Sequence, residues 1–220
     1  MTAQAIIFDV DGVLVDSYEP HFKSWRQMLA EQGFEFSEAQ FRATFGRTTR
    51  DILRQLCGDQ FPDEQIQTFD NRKESLFREL IHQSFPAIDG AVKLIDSLET
   101  AGFAMAVGSS GPPANVALTL KKLERADCFA ARVTGADVTR GKPDPQVFLL
   151  AAERLGVEPR RCAVVEDAPA GIEAANRAEM LSIALTGTAT RAQLADADWV
   201  VDSLREIVPA EISRLLAKRF

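Results

Sequence analysis

Short apolar segments that end at acidic, hydroxyl or glycine residues constrain the fold of this chain more than any other feature. The clearest lie at residues 5–10, 103–108 and 162–165, and weaker ones lie at 181–185 and 199–201. Short apolar runs bounded by turn residues are typical of strands that are buried on both faces of a sheet. The chain is therefore expected to build its core around such strands.

Between these segments, apolar residues recur at the spacing of an α-helix. The pattern in residues 92–98 ends before Gly102, and the pattern in residues 147–155 ends before Gly156. Glycine after the last periodic residue is a stop signal for a helix. Strands that alternate with helices predict right-handed βαβ units, and hence an α/β fold with a doubly wound, Rossmann-like parallel sheet.

Residues 17–86 break this alternation, because helical patterns follow one another there and no convincing strand is found. Apolar residues share a helix face in residues 22–29 and 52–56, and the pattern in residues 66–80 suggests a third and a fourth helix. We therefore predict an all-helical cap domain at 17–86, inserted into an α/β core domain formed by 1–16 and 87–220. The junctions near Ser17 and at residues 86–90 are predicted hinges, about which the cap is expected to close over the core.

Composition excludes several classes of partner. The net charge is −7 and no basic run offsets it, which argues against nucleic acid. The apolar run near the start is too short for a signal peptide or a membrane span, and the three cysteines form no C-x-x-C pair, as in reducing compartments. We expect a cytoplasmic protein without nucleic-acid or membrane partners, and a monomer by default. An anionic substrate would need local positive partners.

Two carboxylates, Asp9 and Asp11, stand two residues apart at the end of the first strand, directly before Gly12. A carboxylate in such a place needs a cation or a chemical role, although a solvated turn with chance acids is the simpler alternative. A calcium loop is rejected. Its fifth position requires an oxygen ligand and its twelfth requires Glu, whereas this chain has Val13 and Pro20 there.

Ser109 and Ser110 follow the strand at 103–108. A hydroxyl and free backbone N–H groups at a turn between a strand and a helix can bind phosphate, and an ordinary helix cap is the alternative. A nucleophile elbow is rejected, because the pattern needs glycine where Pro112 stands.

Lys142 stands between Gly141 and Pro143 just before a predicted helix. The segment is not a phosphate-binding P-loop, because a proline follows the lysine and Ala136 occupies the position of the first glycine. A lysine held in this way suits the neutralisation of a phosphoryl oxygen. The alternative is an ordinary surface lysine.

Glu166 and Asp167 repeat the pattern of acids after an apolar strand. Mg²⁺ prefers a few carboxylate oxygens, and one acid from each of two strands would supply them. The alternative is an acidic helix N-terminus that the helix dipole favours. His21 lies at the start of the inserted helices, close in sequence to Asp11, and could equally be a partly buried capping residue.

The order of these motifs resembles the haloacid-dehalogenase-like superfamily, in its branch with a small helical cap. The resemblance implies that Asp9 is the nucleophile that forms an aspartyl phosphate and that Asp11 is the general acid–base. It implies a phosphate site, a Mg²⁺ site and a phosphorylated small-molecule substrate. The implied phosphate ligands are Gly12, Ser109, Ser110 and Lys142, and the implied metal ligands are Asp9, the backbone carbonyl of Asp11, Glu166 and Asp167. True dehalogenases lack the second acid, so Asp11 favours phosphoryl transfer.

Within the superfamily, the segment around His21 looks like β-phosphoglucomutase and its phosphatase relatives, and Lys73 matches a cap lysine of that group. The cap arginine of the mutase has no clean match, because strict spacing gives Thr49 and a one-residue slip gives Arg50. Residues 111–113, Gly-Pro-Pro, stand where the mutase has a Ser-Lys-Asn cluster. We therefore predict a Mg²⁺-dependent phosphatase for sugar phosphates or short-acid phosphates. A phosphohexomutase and a non-catalytic binding module are the alternatives.

Overall fold

The chain folds into two compact units in a computed structural model that describes residues 3–44, 49–58 and 60–219. The core unit runs up to Asp16 and resumes at Pro86, and the helical unit comprises Ser17–Phe85. Pro86, which we had assigned to the cap, lies in the core unit because its carbonyl accepts a hydrogen bond from the backbone N–H of Asp16 at 2.8 Å.

The core unit contains one six-stranded sheet with the order β3-β2-β1-β4-β5-β6, in which every neighbouring pair is parallel. The predicted α/β fold with a parallel sheet is thereby confirmed, and all five predicted segments form strands. The strands are β1 Ala5–Phe8, β2 Ala104–Gly108, β3 Ala131–Val133, β4 Cys162–Glu166, β5 Leu181–Leu185 and β6 Trp199–Val201.

Helices of the core unit lie between most of these strands, and one follows the last strand. Their bounds are α5 Ala91–Thr100, α6 Pro113–Lys122, α7 Gln146–Leu155, α8 Pro169–Arg177 and α9 Pro209–Lys218, with 3₁₀ turns at Ala126–Cys128, Pro159–Arg161 and Leu204–Glu206. Side chains of α7 and α8 pack with those of β1, β2 and β4 in one buried apolar cluster, in which Phe148 is fully buried. This packing fixes the start of α7 and of α8 relative to the central strands.

Strand β1 lies at the centre of the sheet because the chain passes to β2 and β3 on one side and to β4, β5 and β6 on the other. In a doubly wound sheet, ligands bind beyond the carboxyl ends of the strands where the strand order reverses. In β1, Phe8 is level with Val107 of β2 and with Val165 of β4. The residues that follow these three positions therefore emerge side by side.

The two chain segments that lead into and out of the helical unit are paired within the core unit. Besides the Asp16–Pro86 hydrogen bond, the backbone N–H of Ile88 donates to the carbonyl of Leu14 at 3.2 Å. Gly90 then adopts a left-handed conformation with φ of 89° at the start of α5. The exit at residues 86–90, which we had expected to act as a hinge, is therefore held to the core by backbone hydrogen bonds.

The helical unit contains α1 Tyr18–Ala30, α2 Glu38–Thr44, α3 Thr49–Cys57 and α4 Asp63–Gln83. No strand occurs in its described residues, 17–44, 49–58 and 60–85. The prediction of two helices over residues 66–80 was wrong, because they belong to the single helix α4, which contains neither glycine nor proline. Helix α2 was not predicted. Among the helices that the structure describes, none combines the length and apolar character needed to cross a bilayer.

Candidate active site

The candidate active site of the core unit lies at the carboxyl ends of β1, β2 and β4. Asp9 follows β1, Ser109 follows β2, and Glu166 is the last residue of β4. The strand register brings these positions together, and Asp9 is tied to the neighbouring strand by a hydrogen bond from its N–H to the carbonyl of Val165 at 3.0 Å. Asp9 and Glu166 thus converge, and Ser109 emerges at the same edge of the sheet, as the motif order predicted.

Lys142 bridges two of these carboxylates. Its Nζ donates to Oδ1 of Asp9 at 2.7 Å and to Oε1 of Glu166 at 2.6 Å. Its side chain is only 10% exposed, and Nζ lies 4.8 Å from the centre of the Phe148 ring. The alternative of a surface lysine is therefore wrong, since this ammonium group is buried between two carboxylates and an aromatic face.

Glu166 folds back over the start of helix α8. Its Oε2 accepts hydrogen bonds from the backbone N–H groups of Asp167 at 2.8 Å and of Ala168 at 2.9 Å. The side chain has room for this conformation because position 171 is glycine, where a Cβ atom would overlap the carboxyl group of Glu166. Gly171 was not predicted as a site residue, since it looks like an ordinary residue of a helix.

Asp167 is packed just as closely against Gly12. A Cβ atom at Gly12 would overlap Oδ2 of Asp167, and the φ of 73° at Gly12 also favours glycine. The hydroxyl of Thr188, in the loop after β5, forms a hydrogen bond with the Asp167 carboxylate. Thr188 also lies close to Gly12, because a Cβ atom there would be 2.9 Å from its Oγ1. Thr188 was missed too, because it follows the fifth strand without any recognisable motif.

The site carries an excess of buried negative charge. Oxygen atoms of Asp9, Glu166 and Asp167 lie within 4.8 Å of one another, and all three residues are buried. Burial raises the pKa of Asp9 to about 7, with Lys142 opposing the rise and Glu166 and Asp11 adding to it. Burial and the charges of Glu166 and Asp9 likewise hold the pKa of Asp167 well above its usual range.

Lys142 compensates only part of this charge. Burial acts to lower its pKa, but attraction to Asp9 and Glu166 outweighs burial and raises that pKa above its usual range. One ammonium group does not balance the negative charge of three carboxylates, so a further cation is needed. Carboxylate oxygens are the hard ligands that Mg²⁺ prefers. The donor set therefore fits the predicted magnesium ion, with Asp9, Glu166 and Asp167 as the residues that would hold it.

The loop from Ser109 to Gly111 is held by the turn that follows β3. The N–H of Ser109 donates to the carbonyl of Val133, the N–H of Gly135 donates to the carbonyl of Gly111, and both distances are 3.0 Å. A Cβ atom at Gly135 would overlap the carbonyl oxygen of Ser110. Two strand-end loops are therefore locked together by their backbones.

Within this loop, Ser109 and Ser110 differ sharply. Ser109 is 1% exposed, and its Oγ accepts a hydrogen bond from the N–H of Gly111 at 3.0 Å, whereas Ser110 is exposed. The loop also lies next to the second acid, because a Cβ atom at Gly111 would be 3.5 Å from Oδ2 of Asp11. Asp11 itself is half-buried. The structure thus brings together Asp9, Lys142, Glu166, Asp167 and Gly12, and it places the loop of Ser109 beside Asp11, whereas the side chain of Ser110 is exposed.

In the helical unit, the predicted residues His21 and Lys73 form a close pair. Lys73 is 5% exposed, and its Nζ lies 2.9 Å from Nδ1 of His21 and 2.6 Å from Oε1 of Glu74. The ring of His21 stacks on Phe77 with a centroid distance of 4.1 Å. Nζ of Lys73 also lies 5.9 Å from the ring of Trp25. Two residues far apart in sequence therefore form one polar cluster with aromatic walls.

The other two residues predicted in the cap have different partners. The hydroxyl of Thr49 donates to the carboxylate of Asp70, and Arg50 forms an ion pair with Asp63 at 2.5 Å. Both partners lie on α4. Arg50 and Asp63 are both largely exposed, and such surface pairs contribute little to stability.

Comparison with known proteins agrees with this picture. The family model for haloacid dehalogenase-like hydrolases matches residues 6–185. A phosphorylated carbohydrates phosphatase of Thermotoga maritima is 31% identical over 179 residues, covering 80% of this chain and 81% of that protein. A β-phosphoglucomutase of Bacillus subtilis is 30% identical over 187 residues, covering 82% of each protein.

A solved structure gives the same result for the fold. A HAD hydrolase, family IA, variant 3, from Entamoeba histolytica superposes with a TM-score of 0.88 at 25% identity, covering 97% of this chain and 99% of that chain. Fold and site together define an enzyme with an acidic, lysine-assisted centre at the edge of a parallel sheet. The chain belongs to the haloacid dehalogenase-like hydrolase family. The predictions of this family and of a hydrolase of the phosphoric monoester type are thereby confirmed.

Proposed function

We propose that this enzyme is a Mg²⁺-dependent phosphatase that hydrolyses small phosphorylated carbohydrates through an aspartyl phosphate on Asp9. The observation that carries the proposal is the buried bridge from Lys142 to Asp9 and Glu166. A buried ammonium group beside a buried carboxylate is suited to a reaction in which that carboxylate meets an anionic group. The relative from Thermotoga maritima, a phosphatase by name, supports the substrate class.

Asp9 is the proposed nucleophile. Lys142 binds one of its carboxylate oxygens, which leaves the second oxygen able to attack phosphorus. The phosphate binds beside Ser109 and the N–H groups of its loop, and Lys142 neutralises part of the negative charge on the phosphoryl oxygens. Mg²⁺, when bound by the acidic cluster, reduces the repulsion between the carboxylate and the phosphate dianion.

Asp11 is the proposed general acid–base. It lies two residues after the nucleophile, and its carboxylate lies next to Gly111 of the phosphate loop. In the first step Asp11 donates a proton to the leaving oxygen of the ester while Asp9 takes the phosphoryl group. In the second step Asp11 removes a proton from the water that attacks the aspartyl phosphate, which releases inorganic phosphate and regenerates Asp9.

We further propose that His21 and Lys73 contact the non-phosphate part of the substrate. A lysine that is 5% exposed and bonded to a histidine is pre-organised for recognition, unlike a mobile surface lysine. Arg50 is a weaker candidate, because it and its partner Asp63 are largely exposed, and so is Thr49, because Asp70 already takes the one proton of its hydroxyl. Lys73→Met, which keeps most of the apolar stem, is expected to raise KM more than it lowers kcat.

A phosphohexomutase is the second candidate, because a relative that is 30% identical is named β-phosphoglucomutase. A mutase must bind two phosphates and protect the phosphoenzyme from water. In this chain Pro112 and Pro113 stand beside the phosphate loop, and proline offers no N–H donor. A chain that lacks two or three such charge-assisted contacts, each of about 1.5–3 kcal/mol, would have a weak second phosphate site, and hydrolysis would be favoured.

One experiment separates the two reactions. The enzyme is incubated with β-glucose 1-phosphate and a trace of the 1,6-bisphosphate in the presence of Mg²⁺, and glucose 6-phosphate and free phosphate are measured together. We expect net release of phosphate. Rapid conversion to glucose 6-phosphate with little phosphate released would establish the mutase instead. A panel of phosphorylated metabolites, with Asp9→Asn as the inactive control, then identifies the preferred substrate.

A further inference from the structure

The loop that carries Lys142 is closed by the side chain of one residue, Gln146. Its Oε1 accepts hydrogen bonds from the backbone N–H groups of Thr139 and Arg140, both at 3.0 Å, and from the Thr139 hydroxyl at 3.3 Å. Gln146 is the first residue of α7, the helix whose Phe148 is buried against the central strands. The amide oxygen therefore ties the beginning of the loop to a fixed point of the core.

The other side of the loop is also tied to this helix start. The N–H of Gln146 donates to Oδ1 of Asp144 at 3.0 Å, and the N–H of Asp144 donates to the carbonyl of Gly141 at 3.0 Å. In sequence, Lys142 lies between the residues bonded by the Gln146 amide oxygen, Thr139 and Arg140, and Asp144. The backbone from Thr139 to Gln146 thus forms a closed ring of hydrogen bonds around the position of Lys142.

On the far side of the loop, Nη1 of Arg177 donates a further hydrogen bond to the carbonyl of Pro143 at 3.3 Å. Thr139, Arg140 and Gly141 are all exposed, so apolar burial does not fix their backbone. The ion pair between Arg140 and Asp144 is a surface pair with an arginine side chain that is 69% exposed, and it contributes little. A lysine side chain has four flexible carbon–carbon bonds, so its ammonium group stays between two carboxylates only if its backbone is held in place.

We infer that Gln146 is a positioning residue for Lys142, and that the acceptor oxygen of its side chain sets the geometry of the Lys142 bridge. The inference depends on the proposed function in one respect, since it assumes that Lys142 binds a phosphoryl group. Displacing a catalytic group by about 1 Å costs up to about 10²-fold in rate, which sets the scale of the expected effect.

The first test does not depend on turnover. Gln146→Met keeps the length of the side chain but removes the acceptor, whereas Gln146→Glu keeps an acceptor oxygen at the same place. We expect the amides of Thr139 and Arg140 to exchange with solvent at least about tenfold faster in Gln146→Met, in line with the loss of roughly 1.4 kcal/mol of hydrogen bonding. Exchange should stay near the wild-type rate in Gln146→Glu. Unchanged exchange in Gln146→Met would overturn the inference, whether or not the enzyme is a phosphatase.

The second test asks whether Gln146 acts through Lys142. The kcat/KM for a phosphomonoester and the inhibition constant of inorganic phosphate are measured in a double-mutant cycle with Lys142→Ala. We expect Gln146→Met to lower kcat/KM by about tenfold and to weaken phosphate inhibition in the wild-type background, and to change both by less than about twofold in the Lys142→Ala background. Equal losses in both backgrounds would show a general structural role and refute the inference.

The helical unit offers a matched control. Oε1 of Gln40 accepts from the N–H and the hydroxyl of Ser37 at 2.9 and 2.8 Å, as Oε1 of Gln146 does from Thr139, but without the further bond from Arg140. Gln40→Met should leave kcat/KM and phosphate inhibition unchanged. If it lowers them as much as Gln146→Met does, the effect is not specific to the Lys142 loop and the inference fails. Absence of phosphatase activity and phosphate binding in the wild-type enzyme would instead refute the proposed function.

Discussion

Replacing Gly171 by alanine sets two effects of opposite sign against each other. Alanine is favoured over glycine inside a helix by about 1 kcal/mol, so helix propensity alone predicts a more stable protein. The structure predicts the reverse, because the new Cβ atom would overlap the carboxyl group of Glu166 in the buried site. The clash involves the carboxyl end of the side chain, so Glu166 must leave its place.

The magnitude follows from the hydrogen bonds that Glu166 would lose. It accepts from Asp167 N–H at 2.8 Å, from Ala168 N–H at 2.9 Å and from Lys142 at 2.6 Å. Hydrogen bonds to a charged group contribute about 1.5–3 kcal/mol each, so loss of any two of these three costs about 3–6 kcal/mol. The net change for Gly171→Ala is therefore a loss of about 2–5 kcal/mol once the gain in helix propensity is subtracted.

The assay is equilibrium unfolding in urea in the presence of a metal chelator. Of the two tryptophans, Trp25 lies in the helical unit and Trp199 in the core unit, so a Trp25→Phe background makes fluorescence report on the core. Gly171→Ala is measured with Glu166 intact, with Glu166→Gln and with Glu166→Ala.

The three backgrounds give a test by sign. The substitution should destabilise the first two proteins, because Gln fills the same space, and should stabilise the third by about 0.5–1 kcal/mol, because only helix propensity remains. Destabilisation of similar size in the Glu166→Ala background would refute the reasoning, since no carboxyl group is then present to clash. With Glu166 intact, Gly171→Ala should also lower phosphatase activity, because Lys142 loses one of its two carboxylate partners.

Four further predictions concern the site and its support. Asp9→Asn should abolish turnover of a phosphomonoester, because an amide cannot form an acyl phosphate, and no phosphoenzyme should be trapped. Lys142→Ala should lower kcat by about 10²–10³ in the same assay, as expected for the loss of one pre-organised charge. A chelator should abolish turnover and Mg²⁺ should restore it; full activity in the chelator would contradict the metal site. Arg154 and Thr134 lower the pKa of Asp137 to about 2, so its contribution is present above its ordinary pKa of 3.8 and is lost as the pH falls through 2. Asp137→Asn should therefore cost about 1 kcal/mol in urea unfolding at pH 7, after allowance for solvent screening, and much less at pH 2, where the carboxyl group of the folded protein is already half protonated.

Most of the core could be predicted because its signals are local. Each motif stands directly after an apolar run, and parallel strands bring their carboxyl ends to the same edge, so the meeting of Asp9, Ser109 and Glu166 followed from the strand assignments. Strand β3 escaped prediction because it has only three residues and its middle residue, Arg132, is exposed. So short a segment carries no periodic signal.

The helical unit was harder to predict for a specific reason. In α4 the buried face is continued through the stretch Asp70–Ser75 by Lys73, a charged residue that packs against aromatic rings and His21. A charged residue at a buried position interrupts the apolar periodicity, so one long helix looked like two shorter ones. The same residue that suggested a function in the cap therefore obscured the length of the helix that carries it.

The residues missed at the site share another property. Gly171, Thr188 and Gln146 act on side chains or loops whose own motifs were recognised, and their roles exist only in the folded chain. Glycine in a helix and threonine in a loop are common, and nothing in the local sequence shows that a carboxylate packs against them. Such supporting positions become visible only when the distances are known.

The pairing of the two chain segments at Asp16 and Pro86 determines what the core unit requires of the chain inserted between them. Backbone groups joined by an antiparallel hydrogen bond bring their Cα atoms to about 5 Å apart, the span of a tight turn. A chain could therefore pass from Asp16 to Pro86 through a turn of a few residues, and the six-stranded sheet would keep every one of its strands. An insertion of a different size could therefore occupy the position of Ser17–Phe85 without breaking the pairing between the strands of the sheet.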